Sequence, residues 1–273
     1  MRKKWHRHEA GAVSAGGSSY AEPVTVSGLE QVLLLAGIGL LAGAINTVAG
    51  GGSLITVPAL IFLGLPAPVA NATNRLGVFL QSLTATQQFA RRGLLPFRPA
   101  RWAVAFAAAG AVVGAYLGTV VDAPQLQSVI AVAMLIMLAL LLIKPQRWLS
   151  PALEPVAPGW QALAFFAVGV YGGFLQAGVG FFLLFSLVGL GGWDLVVGNA
   201  LKSLIVAVFT IPALIIFLWA DLVAWGPGLS LAAGSTVGAW LGTKMAVSWG
   251  PQFVRAVLVV MVSAASTRLL GLW

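Results

Sequence analysis

The sequence has no cysteine, and its two histidines, His6 and His8, both lie in the first ten of its 273 residues. A disulfide framework, a thiolate metal site and a cysteine nucleophile are therefore excluded. With no histidine beyond the tail, an intramembrane serine hydrolase would lack its base, and clusters with metal-ligand spacing are missing. No Gly-x-x-x-x-Gly-Lys-Ser/Thr run occurs, so the chain does not hydrolyse ATP by itself. Charge is scarce: 8% of residues are charged, against about a quarter in a soluble domain. Acidic groups are absent from the apolar stretches. Asp122, Asp194 and Asp221 flank segment ends and Glu30 opens the first, so a buried carboxylate cannot relay protons. An enzyme is not expected, and no cofactor or metal is implied.

Apolar residues make up 59% of the chain, with a mean hydropathy of +0.96. A water-soluble fold is excluded, and the length suffices for about eight membrane helices of some 20 residues each. The net charge of +8 would suggest nucleic acid in a soluble protein. Here Lys and Arg fall mostly in tails and loops, so topology explains them better and no nucleic-acid partner is expected. The tail 1–27 carries Arg2, Lys3, Lys4 and Arg7, followed by a small, polar run without an adjacent apolar core. It reads as a disordered cytoplasmic tail rather than a cleaved signal peptide.

Eight apolar stretches follow: Leu29 to Gly64, Val69 to Ala90, Ala100 to Val121, Ala123 to Ile143, Gly159 to Leu190, Leu195 to Trp219, Gly226 to Met245 and Phe253 to Leu270. As a straight helix the first or the fifth would reach roughly 50 Å, well beyond the ~30 Å hydrocarbon core. Glycines interrupt both, at Gly50-Gly51-Gly52-Ser53 and at Gly172-Gly173 with Gly178-Val179-Gly180. Each is read as a helix, a break inside the membrane and a shorter helix. With the N-terminus inside and one net crossing per long stretch, Arg2, Lys3, Lys4, Arg7, Arg91, Arg92, Arg98, Arg101, Lys144, Arg147 and Arg268 lie inside, and Lys244 and Arg255 outside. The positive-inside rule favours that orientation, with both termini cytoplasmic.

An internal repeat is also present. At an offset of 128 residues Gly50 meets Gly178, Gly52 meets Gly180, Gly64 meets Gly192 and Asn71 meets Asn199. Further on, the Gly110, Gly114, Gly118, Thr119 run corresponds to Gly234, Gly238, Gly242, Thr243, and Pro124-Gln125 to Pro251-Gln252. The fold expected is an all-α polytopic membrane protein of two repeats of about four segments. Their bounds are 28–147 and 159–273, with a linker at 148–158. Four segments per half favour a parallel repeat, whereas a true hairpin at the glycines would make the crossings odd and the repeat inverted.

A broken helix is tolerated in hydrocarbon only where protein or a water-filled cavity covers it, because each unpaired backbone group costs several kcal/mol. Two breaks at corresponding places point to a shared central site. Half-helix N-termini offer N–H groups and a positive dipole end, which suits an anion, and Ser53 adds a hydroxyl. The plainer reading is that these glycines only allow close helix packing. Arg75 follows Asn71 and Asn74, and Lys202 follows Asn199 and precedes Ser203, so each half puts one cation about a turn into its helix. With no acid to pair them, these cations invite an anionic ligand; the alternative is snorkelling to the headgroups. The glycine stripes at 110–118 and 234–242 read as packing faces.

The run Leu41 to Leu60, with Ala-Gly-Ala-Ile-Asn46-Thr-Val-Ala-Gly-Gly-Gly-Ser-Leu-Ile-Thr-Val-Pro58, then Leu63-Gly-Leu-Pro66 and Ala70-Asn-Ala-Thr-Asn-Arg75, resembles the opening of the TauE/SafE family of sulfite exporters. Tyr171 to Gly180 and Lys202 are similar to that family's second repeat. The resemblance implies carriage of sulfite, sulfoacetate or a related organosulfur anion through the bacterial inner membrane. The expected partners are a small anionic substrate and the lipid bilayer, and a homo-oligomer is compatible with this. The expected substrate site joins Asn46, Gly50, Gly51, Gly52, Ser53, Asn71, Asn74, Arg75, Gln176, Gly178, Gly180, Asn199, Lys202 and Ser203. An anion channel using the same cations as a filter, or a non-transporting membrane scaffold, are the rivals.

Overall fold

The computed structural model describes residues 28–122 and 156–269, with 124–126, 128, 129 and 132 between them. The tail 1–27, most of the fourth apolar stretch and the linker as far as 155 lie outside the described residues. Those described form helices and no strand. In chain order they are α1 (Leu29–Val48), α2 (Ser53–Phe62), α3 (Ala67–Arg91), α4 (Phe97–Val120) and α5 (Pro158–Phe174). Then come α6 (Val179–Leu184), which continues as a π-helical turn over Phe185–Leu190, α7 (Leu195–Trp219) and α8 (Trp225–Leu269), whose helical geometry breaks at Gly250.

Local sequence accounts for the boundaries. α1 stops where Gly50 takes φ 88°, and α6 starts after Gly178 at φ 72°, a backbone region open to glycine but strained for other residues. Prolines open α3 and α5 within their first two positions, where a missing N–H costs nothing. Asp194 caps α7 by accepting the Val196 N–H at 2.8 Å.

The burial pattern is that of a membrane protein. Leu33, Leu41, Val113, Leu117, Ile211 and Ile215 are exposed, whereas Asn71, Asn74, Arg75, Gln176, Asn199 and Lys202 are buried. α1, α4 and α7 are each long and apolar enough to cross a bilayer. Polar residues inside and leucines outside suit a solvent of hydrocarbon, because an inward polar group can find protein partners that lipid cannot supply.

Helix directions follow from glycine contacts. Gly234, Gly238 and Gly242 of α8 lie on the backbone of Ala36, Leu40 and Ala44 of α1 in that order, so the two helices run parallel. Gly110 and Gly114 of α4 lie on Phe166, Val170 and Phe174 of α5, again in parallel. The stripes are thus packing faces, as their spacing suggests. α3 starts beside the start of α8: the Ala224 N–H donates to Thr73 Oγ1 at 2.9 Å, and Gly77 faces Leu231 and Ser235. α1, α3 and α8 therefore share one starting end. α4, α5 and α7 share the other, because Gly118 in the last turn of α4 meets Phe217 near the end of α7. α3 and α7 cross antiparallel, with Ala72 among Ala213 and Phe217 at one end and Ala85 and Phe89 among Val196 and Ala200 at the other.

These directions correct two expectations. The first and fifth apolar stretches do not each make one net crossing. α2 returns the chain to the end where α1 began, and α6 with its π turn does the same for α5, so that the Val156 N–H donates to Leu190 O at 2.9 Å. Both are hairpins, and helices aligned by the 128-residue offset, α1 with α5 and α3 with α7, start from opposite ends. Parallel copies would start from the same end. The second correction concerns orientation: Arg91, Arg92, Arg98 and Arg101 sit at the end opposite residue 28, so these arginines and the start of α1 cannot share a side. The cause in both cases is that a hairpin and a single span have the same hydropathy.

The glycine faces can be tested directly. Gly114→Leu and Gly238→Leu place a side chain against backbone of the neighbouring helix and are expected to abolish a monodisperse size-exclusion peak in detergent. Gly37→Ala, with nothing within 4 Å of the added carbon, should leave that peak intact and raise stability by about 0.5–1 kcal/mol in thermal unfolding.

Candidate functional site

The two chain breaks meet. A carbon added to Gly50 would lie 2.6 Å from the carbonyl carbon of Gly180, and one added to Gly180 would lie 2.5 Å from Gly50 Cα. Only two glycines allow backbones so close. Around this contact, α3 and α7 cross and their polar residues converge on the ends of α1 and α5.

An α-helix ends in carbonyls with no intrahelical donor, and inside a bundle these need partners. Arg75 of α3 supplies them to α5: Nη1 donates to Gly172 O at 3.0 Å and to Gln176 Oε1 at 2.7 Å, and Nη2 to Gly173 O at 2.5 Å and Phe174 O at 3.3 Å. Asn71 Nδ2 donates to Phe174 O at 2.8 Å. Lys202 of α7 does the same for α1, donating from Nζ to Asn46 O at 2.7 Å, Thr47 O at 3.1 Å and Asn199 Oδ1 at 2.6 Å. Asn199 Nδ2 completes the set on Val48 O at 3.0 Å. An Asn and a cation on each crossing helix therefore hold the end of a helix from the other half of the chain. A cation at a helix C-terminus is also favoured by the macrodipole. Neither cation snorkels, since Arg75 is 0% and Lys202 3% exposed. In place of an acidic side chain, their partners are backbone carbonyls at the two helix ends and the amide oxygens of Gln176 and Asn199.

Several further contacts fix the crossing. Thr56 Oγ1 of α2 donates to Asn74 Oδ1 at 2.5 Å, Gln176 Nε2 donates to Thr210 Oγ1 at 3.3 Å, and the Tyr171 hydroxyl donates to Ala177 O at 2.6 Å. The Arg75 guanidinium also lies 4.5 Å from the Phe217 ring centroid. Asn71 Oδ1, Asn74 Nδ2 and Arg75 Nε are buried without a partner among the described residues.

A cavity of mixed polar and apolar walls lies on the side of the crossing towards the end of α3. Its walls are Asn46, Thr47, Ser53, Val78, Gln81, Ser82, Ala85, Val179, Gly180, Lys202, Ser203 and Val206, and its volume is about 10 Å³, near the lower limit for one water. Of the residues expected at a substrate site, Asn46, Ser53, Gly180, Lys202 and Ser203 line it. Gly50, Gly51, Gly52 and Gly178 form the breaks beside it, while Asn71, Asn74, Arg75, Gln176 and Asn199 belong to the hydrogen-bonded clamps. Sequence reading missed Thr47, Gln81 and Ser82. The last two carried a signal, because Asn71, Asn74, Arg75, Val78, Gln81, Ser82 and Ala85 follow the three-to-four spacing of one helix face.

The chain is similar to known membrane proteins. The family model described as sulfite exporter TauE/SafE matches residues 35–269. A probable membrane transporter protein, ORF9, of a Sinorhizobium species is 29% identical over 85% of the chain and 89% of its own length. The probable membrane transporter protein YfcA of Escherichia coli K12 is also 29% identical, over 85% and 87%. A probable membrane transporter protein of Haemophilus influenzae is 27% identical over 86% and 92%. No solved structure matches.

The clamps make a stability prediction. Arg75→Met leaves the Gly172 and Gly173 carbonyls without their donor, at about 1–3 kcal/mol for each buried group left unpaired. Thermal unfolding in detergent should show a clear destabilisation that Arg75→Lys reverses only in part; unfolding of Arg75→Met at the wild-type temperature would contradict the clamp.

Proposed function

The chain belongs to the sulfite exporter TauE/SafE family, and on that premise we propose that it carries a small sulfur-containing oxyanion across the bacterial inner membrane. Sulfite, sulfoacetate or a related organosulfonate is the substrate class. Transport proceeds by alternating access of two inverted repeats, 28–147 and 159–273, about the point where Gly50 and Gly180 meet.

The observation that carries this reading is the cavity beside that point, whose walls join Lys202, two amides and four hydroxyls to Val78, Ala85, Val179 and Val206 and hold no carboxylate. A buried positive charge next to polar groups is hospitable to an anion and hostile to a cation. The small size of the cavity favours a carrier over a channel. At about 10 Å³ it admits no oxyanion until helices move, whereas an open filter would need no such motion. A scaffold would have no use for polar side chains facing an internal void.

The repeat reading is supported by matched jobs at matched positions. Asn71 and Asn199 both donate to the last carbonyl of the opposite broken helix. Gly50 with Gly178, and Gly64 with Gly192, all take positive φ. Two repeats of opposite sense that exchange shapes would open the same centre first to one side and then to the other. The positive-inside rule puts the end bearing Arg91, Arg92, Arg98 and Arg101 in the cytoplasm, so α1 enters from the external side.

Reconstitution in proteoliposomes tests the proposal. Labelled sulfite uptake should saturate, exceed that of empty vesicles and be competed by organosulfonates. Flux no higher than in empty vesicles for every anion tried, from protein that remains monodisperse, would refute transport. Uptake rising linearly without saturation would favour the channel.

A further inference from the structure

We infer that the cavity beside Lys202 is a site for one singly charged oxyanion, in which Lys202 supplies charge alone and Gln81, Ser53 and Ser82 supply the hydrogen bonds. The inference rests on the transport reading above and deepens it by assigning the donors and the charge of the ligand.

Lys202 Nζ donates to three oxygens, Asn46 O, Thr47 O and Asn199 Oδ1, at 2.7, 3.1 and 2.6 Å. A carbonyl or amide oxygen has no proton to return. Three donated bonds require three N–H groups, which only the ammonium form has. As the ammonium, Lys202 has all three N–H groups taken and no proton left to aim at a ligand. It lines the cavity as a positive charge without directionality.

The directional donors must come from other walls. Gln81 is 3% exposed, Ser53 3% and Ser82 5%, and none of these side chains has a hydrogen-bond partner among the described residues. The hydroxyls of Thr47, Thr86 and Ser203, by contrast, turn back onto the carbonyl four residues earlier. Polar side chains that make no protein hydrogen bond call for a solvent or ligand partner. Here three of them face one void next to a fixed charge. Gln81 offers two N–H donors and each serine one, enough for the oxygens of a sulfonate-sized group once the cavity widens.

Charge balance selects the valence. The lining holds one cation and no Asp or Glu. Arg75 is not a wall; its terminal nitrogens are spent on the end of α5. A monoanion such as hydrogensulfite or a simple alkanesulfonate leaves the pocket neutral, while a dianion, fully ionised sulfite and sulfoacetate included, leaves one negative charge out of water and uncompensated; within the proposed substrate class the site therefore takes the monoanions.

The test uses methanesulfonate, a monoanion, and sulfate, a dianion of similar size. It measures both calorimetric binding to the purified chain and flux in proteoliposomes. Methanesulfonate is expected to bind at least about tenfold more tightly than sulfate. Gln81→Leu should weaken methanesulfonate binding about tenfold, roughly the worth of one lost hydrogen bond in affinity, with Gln81→Asn recovering part of it. Equal or tighter sulfate binding, or unchanged affinity in both Gln81→Leu and the Ser53→Ala, Ser82→Ala double variant, would overturn the assignment. Binding with the expected selectivity but without flux would sustain the site and sink the transport reading. Flux of other anions with no binding of methanesulfonate would do the reverse, and the absence of both would refute the two together.

Discussion

Within the bundle, the carbonyls at the ends of α1 and α5 are held by an asparagine and a cation from the helix of the opposite half that crosses them. Lys202 and Asn199 take the carbonyls of residues 46 to 48, and Arg75 and Asn71 take those of residues 172 to 174. Without such partners a helix stopping short inside hydrocarbon would leave polar backbone in a medium that cannot bond it. The chain can turn at Gly50 and Gly178 only because these clamps exist. Each cation in turn is tolerable in the interior only because helix-end carbonyls and an amide oxygen surround it. Break and cation are two halves of one interaction.

From that dependence the site follows. The clamps bring both hairpin tips to one place, where Gly50 and Gly180 touch, and fix a charged amine beside a small void. Glycine faces between α1 and α8 and between α4 and α5 bind each hairpin's long arm to a neighbour by close backbone contact. That leaves α3 and α7, which cross between these pairs, carrying the clamps and most of the polar wall. A shift of one crossing helix against the other would move charge, donors and hairpin tip together, as the proposed carrier requires.

Glycine spacing showed where helices must break or pack, and the 128-residue offset paired Asn71 with Asn199, which each hold a helix-end carbonyl, and Gly50 with Gly178, which each turn the chain. Helical spacing along α3 already held Gln81 and Ser82 on the face of Arg75. The direction of the return chain was hidden, because α2 and α6 are as apolar as a continuing span. The partners of Arg75 and Lys202 were hidden as well. A search for pairing acids finds none, and carbonyls carry no letter in a sequence.

The amino-acid sequence by itself determined that the chain is helical and lives in lipid, since apolar content and missing charge leave no other medium in which it could bury its backbone. It also determined where the helices are interrupted, because only glycine runs allow such turns without strain. Tertiary structure alone decided that the interruptions are hairpins, that the aligned halves run in opposite senses, and that the two cations face carbonyls across the molecule. Those outcomes depend on which helix end meets which crossing helix, a matter of long-range contact that local composition and period do not encode.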